Sequence, residues 1–188
     1  MPPKFKFTKQ QIIDTALEII REGGVSALTA RSLAQKLSSS PKPIFSYFDS
    51  MNELLADVYD AASGMYQEYI KNAMLRKEYP PYKASGMAYI EFARQERQLF
   101  KWLFMRDRTG ESVAENREEI RDQLDLIMKN LNISEDSAYL FHIEMWVFVH
   151  GIATMAATSY LDMDTEFASR VLTDAYQGLK HRYTEMRD

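Results

Sequence analysis

Apolar residues recur at intervals of three and four through most of this 188-residue chain. After Asp49 and Ser50, for example, Leu54, Val58 and Ala62 fall on one helical row. No segment alternates between apolar and polar residues, and the sequence has no Asn-Gly or Asp-Gly pair to form a tight hairpin. The pattern therefore predicts an all-α protein of about nine helices.

Residues at the ends of the apolar rows indicate where the predicted helices begin and end. Thr8 and Gln11 match a capping box, and Gly23-Gly24 is expected to end the helix that Thr8 opens. Polar or proline-containing breaks separate the later rows. Further long helices are predicted over residues 51–78, 82–105, 111–131, 135–161 and 165–186.

The composition argues against several classes of protein. The absence of cysteine excludes disulfides, zinc–thiolate sites and thiol catalysis. We find no nucleophile elbow, P-loop or glycine-rich nucleotide fingerprint, so we predict no enzyme and no cofactor. No signal peptide and no run of about 20 purely apolar residues is visible, which favours a cytoplasmic protein without a membrane partner. The most apolar stretch, residues 138–161, contains His142, Glu144 and His150, and we predict a buried helix there.

Charge is distributed unevenly along the chain. Residues 1–50 carry a net charge of +3, whereas residues 51–188 carry a net charge of −7. A basic head on an acidic body suits a protein whose head contacts phosphates. A bias of this size in fifty residues also arises by chance, so charge alone does not decide the function.

Residues 29–48 predict two short helices that are separated by three serines. Thr29 is the expected N-cap of the first helix, and Leu33, Ala34 and Leu37 form its apolar face. The second helix opens with either Pro41 or Pro43 at its first position, and we favour Pro43 because a residue ahead of a proline avoids the α region. We expect the inward side chains of the second helix to be Ile44, Phe45 and Phe48 and its outward ones to be Lys42, Ser46 and Tyr47.

Such a pair of helices is typical of a helix-turn-helix that reads the DNA major groove. Thr29 and Arg31 would then meet phosphates, and Lys42 and Ser46 would bond phosphate or base edges. Pro43 and the ring of Tyr47 would contact a thymine methyl group. The residues alone leave a second interpretation open, a three-helix packing unit that binds no nucleic acid.

The segment from Thr8 to Leu55 resembles the N-terminal domain of TetR-family transcriptional regulators. The resemblance rests on Ile12-Ala16-Leu17, Gly23-Gly24-Val25, Leu28-Thr29, Arg31, Leu33-Ala34, Leu37, Pro43-Ile44-Phe45, Tyr47-Phe48 and Glu53-Leu54-Leu55. It implies a helix-turn-helix domain over residues 1–50 and a larger helical ligand-binding and dimerisation domain over residues 51–188. It also implies a repressor that a small molecule releases from a palindromic operator in double-stranded DNA.

The resemblance adds Phe45 to the expected DNA-binding residues and exposes three departures from the family pattern. Ser38 replaces the usual turn glycine, Ser39 an apolar residue, and Met51 a lysine that meets phosphate. A serine in the left-handed conformation costs on the order of 1 kcal/mol, so we expect that the turn could differ in shape from that of the family. The departures support an alternative function, a helical ligand- or protein-binding module with degenerate DNA reading.

The segment from Trp146 to Gly151 resembles a Trp…His-Gly signature of one TetR subgroup. The resemblance to the family implies that the last two long helices of each subunit form a dimeric four-helix bundle. Small residues on the apolar helix, residues 135–161, would let helices of two protomers approach closely. The alternative is that this helix lies at the centre of a monomer. We predict a homodimer contact through Ala153, Ala157, Phe167, Val171, Tyr176 and Leu179.

Aromatic and histidine side chains of the body are candidates for an effector pocket. His142 and His150 lie about 12 Å apart along one helix, too far to share a metal ion. We therefore predict no metal site and propose a pocket for a small apolar or aromatic effector, although most of these residues would serve equally well as core. The candidate pocket residues are Phe92, Trp102, His142, Trp146 and His150.

Overall fold

A computed structural model describes residues 7–107, 109, 117–161 and 163–185. None of these residues forms a strand, and they contain eight α-helices, which confirms the all-α prediction. The helices are α1 (Lys9–Gly23), α2 (Ala30–Lys36), α3 (Met51–Leu75), α4 (Pro81–Gln95), α5 (Arg97–Phe104), α6 (Arg121–Leu131), α7 (Glu135–Ala157) and α8 (Thr165–Glu185). Two single 3₁₀ turns span Val25–Ala27 and Ile44–Ser46.

The helix ends differ from the predictions in several places. The helix predicted over residues 51–78 ends at Leu75, and the one predicted over residues 135–161 ends at Ala157. Of the helix predicted over residues 111–131, the described part is helical from Arg121, and residues 111–116 lie outside the described part. The last helix is described to Glu185, and Met186 lies outside the described residues.

The helix predicted over residues 82–105 is two helices, and this prediction was wrong. The break is at Glu96, whose φ of −112° and ψ of 48° are not helical. No glycine or proline marks the site in the sequence. The Nε–H of Arg21 in α1 donates a bifurcated hydrogen bond to the two carboxylate oxygens of Glu96, at 2.9 and 3.1 Å.

By packing, the chain forms two compact units, and the first comprises residues 1–67 and 96–106. Its core is built from α1, α2, the first part of α3, and α5. Ile12 and Ile20 of α1, Leu33 of α2, and Leu99 and Phe100 of α5 are all completely buried. Thr8 and Gln11 form both bonds of the predicted capping box, and Gly24 ends α1 with a φ of 76°.

The second unit comprises residues 68–95 and 107–188. Within its described part, α7 packs on α4, α6 and α8. The α4 helix approaches α7 and α8 so closely that a Cβ at Gly86 would lie 3.2 Å from Val149 Cγ2 and 3.4 Å from Leu172 Cδ1. The assignment of residues 1–50 and 51–188 to separate functions stays a prediction, because packing does not report which residues bind DNA.

Among the described helices, α7 alone has the length and composition that would allow it to cross a membrane. Within its most apolar window, 39% of the residues are buried inside the protein. Phe141, Met145, Ala153 and Ala156 are among its buried residues. A core helix of a globular protein passes the same test, so α7 is weak evidence for a membrane.

Candidate nucleic-acid interface

The α2 helix opens with the predicted cap. The Thr29 hydroxyl accepts a hydrogen bond from the Ser32 amide at 3.0 Å, and the Thr29 amide donates to Ser32 Oγ at 2.9 Å. The Ser32 hydroxyl in turn donates to the Ala27 carbonyl at 2.7 Å. Leu33 and Ala34 are buried, so α2 presents the predicted apolar face to the core. The Thr29 side chain is thus engaged in the cap, while Arg31 is exposed.

The turn after α2 is a Schellman motif in which Ser38 takes the left-handed position. The φ of Ser38 is 49°. Its amide donates to the Gln35 carbonyl at 3.0 Å, and the Ser39 amide donates to the Ala34 carbonyl at 2.9 Å. These are the two bonds that define the motif. The serine therefore forms the same kind of turn that a glycine favours, at the conformational cost that the sequence predicts.

The predicted second helix is a single 3₁₀ turn, Ile44–Ser46, and the α-helical prediction for residues 43–48 was wrong. The Ile44 amide donates to the Pro41 carbonyl at 3.0 Å, and the Tyr47 amide donates to the Ile44 carbonyl at 3.1 Å. Pro43 precedes the turn with a φ of −63°. Two prolines remove two amide donors from a segment this short, which limits the regular helical bonds that it can make.

The 3₁₀ geometry also changes which side chains face the core. Ile44 and Phe48 are buried as predicted, but the prediction for Phe45 was wrong, because 44% of this residue is exposed. Residues three apart lie on the same side of a 3₁₀ turn, so Tyr47 follows Ile44 inward. Tyr47 is half-buried, and its hydroxyl donates to the Phe7 carbonyl at 2.8 Å.

Three of the five cations within residues 7–50 are paired with carboxylates. Lys9 pairs with Asp57 at 2.5 Å, and Arg21 pairs with Glu96. Lys36 pairs with Glu22 at 2.6 Å, and the hydrogen bond that the ammonium donates to the Glu22 carboxylate raises the pKa of Lys36.

Arg31 and Lys42 are the other two cations of residues 7–50. Their exposed side chains make no hydrogen bond or ion pair with any other residue that the structure describes. Two unneutralised cations therefore flank the Ser38 turn, one in α2 and one before the 3₁₀ turn.

The predicted DNA-binding residues all fall within residues 29–48, and most of them lie at the surface. Thr29, Arg31, Lys42, Phe45 and Ser46 are exposed, whereas Pro43 and Tyr47 are half-buried. The Ser46 hydroxyl donates to the Lys42 carbonyl at 3.3 Å, a weak contact at the surface. Reasoning from sequence missed the internal bond of Tyr47, because nothing in the pattern pairs that residue with Phe7.

Aromatic and histidine side chains of the second unit form two pairs between α4 and α7. The Tyr89 hydroxyl and His150 Nδ1 lie 2.9 Å apart, and burial lowers the pKa of His150. The His150 ring stacks on Trp146, with ring centroids 4.7 Å apart. The Tyr82 hydroxyl and His142 Nδ1 lie 3.2 Å apart. Three of the five predicted pocket residues thus lie on one half-buried face of α7.

The other two predicted pocket residues lie elsewhere. Phe92 is buried in the core of the second unit and packs edge-on against Tyr69. Trp102 belongs to the first unit, where its ring meets Tyr59 edge-on. No group of three or more histidine, aspartate or glutamate side chains within the described residues is placed to hold a metal ion.

The residues predicted to form a dimer contact are divided between core and surface. Ala153 and Ala157 are buried within the protomer, so almost none of their surface is left to contact a partner. Their small side chains serve packing inside the chain. The remaining predicted residues on α8 are exposed or half-buried, namely Phe167, Val171, Tyr176 and Leu179.

Apolar side chains do reach the surface of α7, at other positions. Leu140, Val147 and Phe148 are 49%, 60% and 45% exposed. Glu144 lies on the same side of the helix and pairs with Arg182 of α8 at 2.9 Å. This surface, which we call the Val147 face, combines three large apolar groups with one ion pair.

Sequence models of two known families match the chain. Residues 12–58 match the family described as "Bacterial regulatory proteins, tetR family". Residues 82–175, half of the chain, match the family described as "Tetracyclin repressor-like, C-terminal domain".

Two curated relatives are the tetracycline repressor protein class D of Escherichia coli and that of class H of Photobacterium damsela subsp. piscicida. Each is 22% identical over 134 residues, which cover 71% of this chain and 56% of the relative. The chain therefore spans about half the length of the curated relatives that it matches.

Solved structures share the fold. A TetR-like transcriptional regulator from Rhodococcus sp. RHA1 has a TM-score of 0.65 and 16% identity, over 95% of this chain and 96% of that chain. A protein with unknown function from the same organism has a TM-score of 0.71 and 19% identity, over 96% and 100%. The family matches at both ends of the chain, together with this fold, show that the chain belongs to the TetR family of bacterial regulatory proteins.

Proposed function

We propose that the chain is a cytoplasmic transcriptional regulator that binds double-stranded DNA through residues 29–48. The observation that carries the proposal is the pair of cations around the Ser38 turn, Arg31 and Lys42, which no described carboxylate neutralises. Lys9, Arg21 and Lys36 are all neutralised. An unpaired cation at the surface is solvated by water in the free protein. When it neutralises a DNA phosphate, counterions are released from the DNA, and this release favours binding.

Residues near the two cations supply the contacts that distinguish bases. Phe45 is exposed and apolar, and it suits contact with a thymine methyl group. Ser46 can exchange its long bond to the Lys42 carbonyl for one to a base edge or a phosphate. The Tyr47 hydroxyl donates a hydrogen bond to the Phe7 carbonyl, so we expect only the Tyr47 ring to contact the bases.

The test compares specific with nonspecific DNA binding. Fluorescence polarisation would measure the affinity for the duplex upstream of the chain's own gene and for an arbitrary duplex of equal length. We expect preference for the first and a large drop in affinity in Arg31→Ala/Lys42→Ala. The matched control is Lys36→Ala, which removes a neighbouring but paired cation and should leave affinity nearly unchanged. Equal binding to both duplexes would instead favour the module with degenerate DNA reading.

We infer that two copies associate through the Val147 face and the exposed side of α8. Leu140, Val147, Phe148 and Phe167 are exposed there. In an isologous contact both protomers use the same surface, so each of these side chains is buried once on each protomer. Two heads would then read half-sites about 34 Å apart or a small multiple of that. Val147→Asp should convert the dimer to a monomer in light scattering, whereas Leu75→Asp, at another exposed apolar position, should not.

Repression released by a small apolar or aromatic effector fits the family, and the Tyr89, Trp146 and His150 cluster is our candidate contact for it. The stacked ring and the hydroxyl offer both apolar area and hydrogen bonding. The chain has two tryptophans, so Trp102→Phe leaves Trp146 as the only indole reporter. Quenching of that fluorescence by a compound that also releases DNA would support the site. Release without any change at Trp146 would place the effector elsewhere.

A further inference from the structure

A hydrogen bond joins the segment that carries Phe45 to the first residues of α1. We call residues 41–48 the recognition turn, and near its end the Tyr47 hydroxyl donates to the Phe7 carbonyl at 2.8 Å. The Phe7 carbonyl and the Thr8 amide belong to one planar peptide group. The Thr8 amide donates to Gln11 Oε1 at 2.8 Å, as part of the cap of α1. This peptide group is therefore held from both sides, by the recognition turn and by the first helix.

A second contact joins the same end of α1 to the recognition turn. Lys9 Nζ lies 5.1 Å from the centroid of the Phe48 ring and pairs with Asp57 of α3 at 2.5 Å. Phe48 follows Tyr47 directly and is 1% exposed. The start of α1 thus contacts two consecutive residues of the turn, one through a hydrogen bond and the other through a cation over its ring.

The backbone bonds within the recognition turn are few and long. Pro41 and Pro43 have no amide hydrogen to donate. The Phe45 amide lies 3.4 Å from the Pro41 carbonyl, and the Ser46 amide lies 3.3 Å from the Pro43 carbonyl. Both distances exceed the usual range of about 2.7–3.2 Å. We therefore expect the orientation of the turn to depend on its contacts with the rest of the first unit.

We propose that Tyr47 is a positioning residue for DNA reading, whose hydroxyl bond to the Phe7 carbonyl orients Phe45 toward the bases. The inference rests on the proposed function. It links this bond to discrimination between bases rather than to affinity for phosphates. The charges of Arg31 and Lys42 attract phosphates over several ångströms, whereas a ring reads a thymine methyl group only in direct contact.

Loss of the hydroxyl should lower the fraction of molecules in which the turn is oriented for reading. A neutral hydrogen bond changes an equilibrium constant by about 2- to 12-fold. Apparent affinity falls in proportion to the fraction of the competent state. In Tyr47→Phe, the affinity for a specific duplex should therefore fall by about 2- to 12-fold for each DNA-reading head. The affinity for an arbitrary duplex, which depends on charge, should fall by less than about twofold.

The first test compares these two affinities by fluorescence polarisation. The specific probe is a duplex that the wild-type chain enriches from a randomised pool, and the other is an arbitrary duplex of equal length. Tyr69→Phe is the matched control, because it removes a hydroxyl of the second unit that lies 3.1 Å from Gln95 Oε1. We expect the ratio of specific to arbitrary affinity to fall in Tyr47→Phe alone.

A hydroxyl that serves only stability gives a different result. Tyr47→Phe would then lower the unfolding free energy in urea and leave the ratio of affinities unchanged, as in Tyr69→Phe. That result would overturn the proposal, and so would a loss of equal size on both duplexes. Far-UV circular dichroism at the assay temperature checks that each variant is folded.

The second test is a double-mutant cycle that separates positioning from direct contact of the hydroxyl with DNA. Phe45→Ala removes the side chain that the bond is proposed to orient. Tyr47→Phe should lower the ratio of affinities in the wild-type background and have little further effect in Phe45→Ala. An equal reduction in both backgrounds would mean that the hydroxyl acts independently of Phe45, and the positioning role would be overturned.

The outcomes distinguish this inference from the proposed function. If the wild-type chain enriches a duplex and Tyr47→Phe keeps the full ratio of affinities, the regulator stands and the positioning role fails. If the wild-type chain enriches no duplex, the proposed function and the inference fail together.

Discussion

Replacing Ser38 by glycine is expected to stabilise the protein. Ser38 holds a φ of 49°, and the left-handed region costs an L-residue about 1–2 kcal/mol. Glycine adopts it without that cost but has more freedom in the unfolded chain, which offsets about 0.4–1 kcal/mol. The net gain in unfolding free energy lies between about 0 and 1.6 kcal/mol and centres on about 1 kcal/mol, or roughly 2–4 °C in Tm for a chain of this size.

Glycine and alanine both lack the serine hydroxyl, so a comparison of these two variants isolates the conformational effect. At position 38, the glycine variant should be more stable than the alanine variant by about 1 kcal/mol, since alanine keeps the strain. Ser39 follows directly and has no positive φ. There the order should reverse, with glycine less stable than alanine by about 0.4–1 kcal/mol.

Urea unfolding followed by far-UV circular dichroism measures these differences, and unchanged m-values would show that the same transition is compared. Ser159 offers an independent repeat, because it ends α7 in the same conformation with a φ of 56°. If alanine at position 38 is as stable as glycine there, Ser38 is not left-handed in solution. The argument for the shape of this turn would then be refuted.

Three further predictions concern other positions. Gly24→Ala should lower the unfolding free energy by about 1–3 kcal/mol, because a φ of 76° with a ψ of 174° is a glycine conformation; urea unfolding measures it. Gly64→Ala in α3 should raise the unfolding free energy by about 0.5–1 kcal/mol, since the added Cβ meets nothing within 4 Å; a lower Tm would contradict it. Burial lowers the pKa of His150 in the folded state, so the unfolded chain binds the proton more readily and stability falls as the pH drops below about 6.5. His150→Gln should flatten this part of the stability profile, and an unchanged profile would show that His150 does not contribute.

Features encoded by neighbouring residues were predictable from the sequence. The capping box of Thr8, the cap of Thr29 and the glycine end of α1 each depend on residues within one helical turn. The left-handed Ser38 was not predicted, because a serine in place of the family's usual glycine pointed to a turn of different shape. The resemblance over residues 8–55 indicated the family from the sequence alone, without knowledge of any long-range contact.

Features that depend on distant residues were not predictable. The break at Glu96 is accompanied by a contact with Arg21, which is 75 positions away. The inward turn of Tyr47 depends on 3₁₀ geometry and on Phe7. The small side chains of Ala153 and Ala157 do allow close approach, but periodicity does not say whether the approaching helix belongs to the same chain.

The first unit is discontinuous in sequence, and this has a consequence for how the protein is made. Leu99, Phe100 and Leu103 of α5 are buried, and α5 packs on α1. A ribosome that has finished residues 1–67 has therefore not yet supplied part of the core of that unit. Its folding must wait until residue 106 has emerged, by which time α4 of the second unit is also complete. The first unit can thus be completed only after the α4 segment of the second unit has been made, and the second unit in turn waits for α7 and α8.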